Sequence, residues 1–208
     1  MKLIGSMRSP FVRRVAITLN VQGMPFEHLD VPVFDQPEEV GKYNPLTRVP
    51  TLVLDDGEVL IESYAMIDAI DDMVGPEKAL MPAHGKERRH VMRIVAAATG
   101  TMDKAQWAAY ETRFHPKEKV HQPWIDHNDK SVEGGLAYLD GLAKEAGGDG
   151  FLAGGGALSQ ADISGVVAYT FAGLARPKLG IAGKYPNIAA FAGRLEATAP
   201  FKAAALPG

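Results

Sequence analysis

Residues 44–54 read NPLTRVPTLVL, and Glu62 and Ser63 follow at the end of the next predicted strand. The segment is rich in turn-forming residues and passes through Val49-Pro50 into a predicted strand, Thr51 to Leu54. Proline is the residue before which a cis peptide bond costs little. A cis bond here would turn the backbone sharply and direct the N–H and C=O of Val49 outward, where they can pair with the backbone of another molecule.

Glu62 and Ser63 lie where a strand is predicted to end and a helix, Ser63 to Val74, is predicted to begin. A hydroxyl side chain at a helix N-terminus is typical of an anion site, because the first backbone N–H groups have no partner within the helix. Together with the Val49 backbone, this pattern predicts a site for a peptide-like, acidic ligand. The segment alone leaves open a plain hairpin whose preceding loop happens to carry prolines.

Composition and charge exclude several classes of protein. The 208 residues include no cysteine, which excludes disulfides, thiolate metal sites and a cysteine nucleophile. The formal net charge of −3 comes from interspersed signs, so no basic face for nucleic acid is indicated. The 6 histidines have no spacing typical of metal ligands, and we expect no bound metal.

Two stretches bear on localisation. The first residues, MKLIGS, lack the apolar run of a signal peptide. The longest apolar run, Ile163 to Ala175, is interrupted by polar residues and is too short to span a bilayer. We therefore expect a cytoplasmic protein with no membrane partner.

The predicted secondary structure changes near Gly75, from mixed strands and helices to helices. Strand and helix signals alternate before this point, which predicts a mixed α/β sheet with helices on its faces. The predicted strands are Lys2 to Met7, Phe26 to Val31, Thr51 to Leu54 and Glu58 to Ile61, and the predicted helices are Ser9-Pro10 to Gly23, Gln36 to Lys42 and Ser63 to Val74. The later stretches have helical periodicity. This pattern predicts an α/β domain over residues 1–76, a linker over 77–85 and an all-α domain over 86–208.

Ser159 and Asp162 open a very apolar predicted helix in the second half of the chain. Their spacing is that of a capping box, with aspartate in place of the usual glutamate. We interpret this motif as structural rather than catalytic.

Four motifs together resemble those of the cytosolic glutathione transferases, and the resemblance covers the whole chain. They are Ser9-Pro10-Phe11-Val12-Arg13-Arg14-Val15, Asn44-Pro45-Leu46 with Val49-Pro50, Glu62-Ser63, and Ser159-Gln160-Ala161-Asp162. The resemblance implies a thioredoxin-like α/β first domain that binds glutathione beside a cis-proline, and an all-α helical bundle that shapes the site for an electrophile. It also implies a homodimer and a role in detoxification. The motif pattern is that of a serine-type, bacterial member similar to the plant tau class.

Ser9 is the residue that this resemblance assigns to catalysis. Attack by glutathione needs a thiolate, whereas a free thiol has a pKa of about 8.5. Ser9 precedes the helix that begins at Pro10, so its hydroxyl is placed to donate to a sulfur held at the helix start. Tyrosine-type members carry their tyrosine two positions earlier, where this chain has Met7, so we set that mechanism aside. Ser6 is a second hydroxyl nearby, and ordinary helix capping remains an alternative or additional role for Ser9.

The remaining contacts follow from the groups that glutathione presents. We expect Val49, beside Pro50, to offer its backbone to the cysteinyl peptide and Ser63 to hold the γ-glutamyl carboxylate. Glu62 would face the ammonium group. Arg48 would reach the glycyl carboxylate, since a guanidinium fork suits that group; the alternative for Arg48 is a solvated surface side chain. Lys42 is a further candidate partner for glutathione.

Five residues are candidates for the site of the second substrate, the electrophile. Trp107, Tyr110 and Phe114 fall on one face of a predicted helix, and Met7 and Phe11 are candidates for the floor of the electrophile site. An aromatic stripe at this spacing is also typical of a helix core.

These features predict an enzyme, a glutathione transferase that conjugates glutathione, as co-substrate, to a hydrophobic electrophile. Two alternatives remain open. The same thiolate suits glutathione-dependent ether cleavage or peroxide reduction, and a non-enzymatic scaffold would keep the fold without the chemistry.

Overall fold

The computed structural model describes residues 1–207 and divides into two compact units. Unit 1 comprises Met1–Ala83 together with residues 197–207, and unit 2 comprises His84–Glu196. Each unit has its own set of helices, and the strands all lie in unit 1.

Unit 1 is built on a four-stranded mixed sheet. Its strands are β1 (Lys2–Ile4), β2 (Glu27–Leu29), β3 (Thr51–Val53) and β4 (Val59–Ile61), in the order β2-β1-β3-β4. β1 is parallel to β2 and antiparallel to β3, and β4 is antiparallel to β3. With helices α1 (Pro10–Val21), α2 (Pro37–Gly41) and α3 (Ser63–Val74), this is the predicted thioredoxin-like α/β fold.

Helix α1 is the most deeply buried element of unit 1. Ser9 caps it, Pro10 occupies its first turn, and all its residues from Val12 to Leu19 are buried. The predicted strand Lys2 to Met7 is shorter in the structure, because Gly5 has a φ of +127°, which an L-residue in a strand does not adopt. The turn at Gly5 therefore brings the chain quickly from β1 to Ser9.

Unit 2 is helical. Its helices are α4 (Gly85–Phe114), α5 (Gln122–Ala146), α6 (Gln160–Ala175), α7 (Ile181–Lys184) and α8 (Pro186–Glu196). Their core includes Ala105, Val132, Leu136, Ala172 and Ile181. No helix within residues 1–207 is both long enough and apolar enough to cross a membrane.

The capping box of α6 forms as predicted. The carboxylate of Asp162 accepts hydrogen bonds from the N–H of Ser159 at 2.7 Å and from the N–H of Leu152 at 2.7 Å. Burial raises the pKa of the Asp162 carboxyl group, although the N–H donors act in the opposite direction. The motif therefore ties the preceding loop to the start of α6, which is the structural role that its spacing indicates.

The end of the chain departs from the predicted domain division. Residues 197–207, including the short helix α9 (Ala199–Lys202), group with unit 1 rather than with the helices of residues 86–196. The cause is α1, since Arg13 Nε donates to the carbonyl of Ala204 at 2.9 Å and Asn20 Nδ2 donates to that of Pro200 at 3.0 Å. Such long-range side-chain contacts leave no periodic signal in the sequence.

Candidate functional site

Ser9 lies at the junction between the β1–α1 loop and helix α1. Its Oγ accepts a hydrogen bond from the N–H of Val12 at 3.4 Å, and its own N–H donates to the carbonyl of Ser6 at 2.9 Å. Because an accepting hydroxyl keeps its proton, Ser9 can still donate that proton to an anion at the helix start. Ser6 Oγ accepts a long hydrogen bond from the N–H of Arg8 at 3.5 Å, so both candidate hydroxyls lie in one loop.

The Val49-Pro50 peptide bond is cis. Within residues 1–207, the backbone N–H and C=O of Val49 take part in no hydrogen bond. A Cβ atom on Gly5 would lie 2.7 Å from Cβ of Val49 and 2.6 Å from Cγ2 of Val12. Val49 therefore packs against the turn before α1, and the backbone groups that the sequence offers to a peptide ligand have no partner among the described residues.

Asn44 holds the loop that carries Val49. This side chain is only 1% exposed. Its Nδ2 donates to the carbonyl of Arg48 at 2.8 Å, and its Oδ1 accepts from the N–H of Leu46 at 2.9 Å. One amide thus satisfies a donor and an acceptor on the two sides of the turn, which fixes the loop just before Pro50.

We expect Asn44→Asp to lower the free energy of unfolding by about 2–4 kcal/mol, because a buried carboxylate would then face the Arg48 carbonyl without a proton to donate. Affinity for the predicted ligand, glutathione, should fall as well. The matched control is Asn128→Asp in unit 2, where a fully buried Asn128 Nδ2 donates to the carbonyl of Trp124 at 2.8 Å. Urea denaturation should show a loss of stability in both variants, and calorimetry should show weaker glutathione binding in Asn44→Asp alone. If Asn44→Asp bound glutathione as tightly as the unaltered protein, Asn44 would have no role in the glutathione site.

Glu62 and Ser63 form the start of α3. Glu62 has a φ of +69°, a conformation uncommon for residues other than glycine, and the first helical hydrogen bond runs from Met66 N–H to its carbonyl. Ser63 is buried, and no side-chain oxygen of Glu62 caps the helix. The N-terminal end of α3 is therefore not neutralised by its own cap residue, which suits an anion.

Arg48 and Glu62 form an ion pair, with 2.7 Å between Arg48 Nη1 and Glu62 Oε1. Sequence reasoning assigned these residues to opposite ends of glutathione, whereas in the structure they contact each other directly. Both side chains are about half exposed, so the pair is weak and can exchange with a charged ligand. The contact places the loop before Pro50 beside the start of α3. Lys42, in contrast, pairs with Glu39 at 2.6 Å.

Arg14 is the residue near these groups to which sequence reasoning gave no role. It is 0% exposed, its Nη1 donates to Ser63 Oγ at 3.4 Å, and its guanidinium carbon lies 4.8 Å from the centroid of the Tyr64 ring. The sequence feature that could have identified Arg14 is a charged residue in the middle of a helix that packs against the sheet and α3. Arg14 joins α1 to the start of α3, while Val12 of the same helix lies against the Gly5 turn beside Val49.

The candidate electrophile residues lie in both units. In unit 2, Trp107 and Tyr110 pack edge to face at 6.3 Å between ring centroids, as do Tyr110 and Phe114 at 5.1 Å. Trp107 and Phe114 are exposed, so this stripe is a surface feature and not a core. In unit 1, Met7 is buried and Phe11 is half-buried.

No group of three or more histidine, aspartate or glutamate side chains within residues 1–207 is arranged to hold a metal ion. The candidate site of unit 1 includes hydroxyls, backbone groups, helix N-termini and the Arg48–Glu62 pair.

Comparison with known proteins gives consistent matches. A family model described as the glutathione S-transferase N-terminal domain matches residues 3–78. Over 142 residues the chain is 38% identical to the uncharacterized GST-like protein YibF of Escherichia coli K12, covering 68% of this chain and 69% of that protein. Over 163 residues it is 31% identical to the maleylacetoacetate isomerase of Pseudomonas aeruginosa, covering 71% of each. A solved glutathione S-transferase from Methylobacillus flagellatus with GSH bound superposes with a TM-score of 0.89, at 28% identity and over 99% of each chain.

Proposed function

The chain belongs to the glutathione S-transferase family, and from this premise we propose that it binds glutathione in unit 1 and conjugates the glutathione thiolate to a hydrophobic electrophile. In this proposal Ser9 is the catalytic residue of a serine-type, tau-like site. Its hydroxyl donates to the sulfur and favours the thiolate, with help from the positive end of α1. Each unit by which the thiol pKa falls corresponds to about 1.4 kcal/mol of stabilisation of the anion over the thiol.

The observation that carries the proposal is the joining of three binding elements by one helix. The start of α1 presents Ser9, the turn beside it packs against Val49, and Arg14 on the same helix reaches Ser63. A tripeptide with a thiol in its middle and carboxylates at both ends needs a thiol site, a backbone partner and an anion site in this neighbourhood. The contacts proposed for Arg48, Val49, Glu62 and Ser63 supply the last two of these.

Conjugation by substitution forms a carbon–sulfur bond and expels a leaving group, whereas attack on an epoxide breaks a ring carbon–oxygen bond and leaves an alkoxide that takes up a proton. With an aryl halide, the thiolate attacks the ring carbon and halide departs, so no oxidant or metal is required. We propose that Met7 and Phe11 of unit 1 contact the electrophile, and that Trp107, Tyr110 and Phe114 of unit 2 are separate candidates for the same role. A homodimer is part of the proposal, and sedimentation at micromolar concentration would check it.

The test combines binding and turnover. The protein should be retained on immobilised glutathione, be eluted by free glutathione, and accelerate conjugation of a chlorodinitrobenzene substrate. Retention without turnover on a panel of aryl halides and epoxides would favour the scaffold alternative. Failure to bind glutathione by calorimetry would contradict the proposed function altogether.

A second candidate is supported by the similarity to maleylacetoacetate isomerase. Reversible addition of a thiolate to an activated double bond would permit rotation and then expel the thiolate, using the same glutathione site. Assaying cis–trans isomerisation of maleylacetoacetate beside the conjugation assay distinguishes the two reactions.

A further inference from the structure

Arg14 is a buried cation for which the contacts proposed above provide no role. Its side chain is 0% exposed, and its Nε and Nη2 atoms have no hydrogen-bond partner. Tyr64 is the side chain that opposes the effect of burial on the pKa of Arg14. No aspartate or glutamate of residues 1–207 forms an ion pair with Arg14. A buried charge with this few partners costs free energy, because it has lost its hydration without gaining a counter-ion.

The charge persists at neutral pH despite this cost. Burial lowers the pKa of Arg14 to about 10, so the guanidinium remains protonated near pH 7. Because the folded protein binds this proton less tightly than the unfolded chain does, the charge lowers stability at every pH below about 10. If the only role of Arg14 were to stabilise the fold, its charge would be expected to raise the free energy of unfolding and not to lower it. A nearby anion would offset the cost.

The position of Arg14 identifies the place for that anion. Nη1 donates to Ser63 Oγ at 3.4 Å, so Ser63 accepts from a cation on its inner side and keeps its own proton for an acceptor elsewhere. Hydrogen bonding to a cation polarises the hydroxyl and strengthens it as a donor. Ser63 is also the first residue of the 12-residue helix α3, whose N-terminal end attracts negative charge.

We propose that Arg14 is a positioning residue for glutathione, which orients and polarises the Ser63 hydroxyl and supplies the buried positive charge that favours the γ-glutamyl carboxylate there. This inference rests on the proposed function, since it deepens one end of the same site. Arg14 acts through Ser63 and does not touch the ligand. The specificity that follows is for ligands with a carboxylate next to Ser63, over peptides that lack this group.

The test compares two ligands on three proteins. The ligands are glutathione and 4-aminobutyryl-cysteinyl-glycine, the analogue that lacks only the γ-glutamyl carboxylate. The unaltered protein should bind glutathione at least about tenfold more tightly than the analogue. Arg14→Met should raise the Kd for glutathione about tenfold and leave the Kd for the analogue unchanged, which removes the preference. Its melting temperature should be unchanged or higher, because an apolar side chain of similar length replaces an uncompensated charge.

Arg13 provides the matched control on the same helix. It is also buried, and its Nε donates to the carbonyl of Ala204 at 2.9 Å. Arg13→Met should therefore lower the melting temperature, because it leaves that carbonyl unpaired, and should keep the preference for glutathione over the analogue.

The possible results separate the two proposals. If the unaltered protein does not bind glutathione, the proposed function fails and this inference fails with it. If the unaltered protein binds glutathione and Arg14→Met keeps the preference, or loses affinity equally for both ligands, the function stands and the role of Arg14 is overturned. Should Arg14→Met not fold, Arg14→Gln is measured in the same way, and failure of both variants to fold would assign Arg14 to the core and overturn the inference.

Discussion

Ser9→Asp is expected to fold as stably as the unaltered protein while conjugating glutathione about a hundredfold more slowly or worse. In the structure Ser9 Oγ accepts the N–H of Val12 at the start of α1, and an aspartate carboxylate at this position can accept the same bond. Its charge also suits the helix N-terminus. Beside a forming thiolate, however, that carboxylate repels the sulfur and has no proton to donate at neutral pH, so the pKa of the bound thiol should rise.

Ser9→Ala is the necessary comparison, but it cannot decide the question alone. Alanine removes both the donor to the sulfur and the cap of α1, and loss of the cap costs about 1 kcal/mol. The measurements are the melting temperature, the conjugation rate and the thiolate absorbance of bound glutathione against pH. The thiol should ionise at higher pH in Ser9→Asp than in Ser9→Ala. A stable aspartate variant with the parent's rate would remove Ser9 from the mechanism and direct attention to Ser6, in the same loop.

The features of unit 1 that follow from local chemistry were predictable from the sequence. Helix α3 begins at Ser63 and ends at Val74 as predicted, because a strand ends and a helical apolar period begins at that point, and Gly75 stops the helix. The predicted hairpin of β3 and β4 also forms, since Asp55-Asp56-Gly57 is a strong turn signal. Local propensity and hydrophobic pattern agree at each of these positions.

The features that arise from long-range packing were not predictable in this way. Arg14 and Ser63 lie far apart in the chain, and their hydrogen bond exists only because α1 packs against the start of α3. The grouping of the final residues with unit 1 has the same origin, in the contact from Arg13 to Ala204. A helical wheel of α1 assigns arginines to solvent, whereas a helix enclosed on most sides must bury some of them. In similar sequences, a charged residue in a helix that is predicted to be buried therefore indicates a long-range polar contact.

The direct pairing of Arg48 with Glu62 changes how the glutathione site is expected to work. Each side chain has a proposed partner on the ligand, so binding exchanges one exposed ion pair for contacts to the ligand's own charges. An exposed ion pair contributes about 0–1 kcal/mol, so breaking it costs little. The pair keeps both side chains near the site while leaving them available to the ligand.

Replacing both Glu62 and Ser63 with alanine should weaken glutathione binding at least tenfold, and by about a hundredfold or more if both contacts are charge-assisted, since each such contact contributes about 1.5–3 kcal/mol. Loss of the Glu62 side chain should cost little stability, because it makes a surface ion pair and caps no helix end. Loss of the buried Ser63 hydroxyl should lower stability, because it removes the acceptor of Arg14 Nη1. The control is Glu58→Ala with Ser131→Ala, which changes the same residue types at positions outside the candidate site. Calorimetry on the folded double variant tests the prediction, with circular dichroism checking that the total helical content is unchanged. Parent-like affinity in that variant would mean that the γ-glutamyl end binds elsewhere, because the charged partner of the ammonium and the hydroxyl partner of the carboxylate would both be gone.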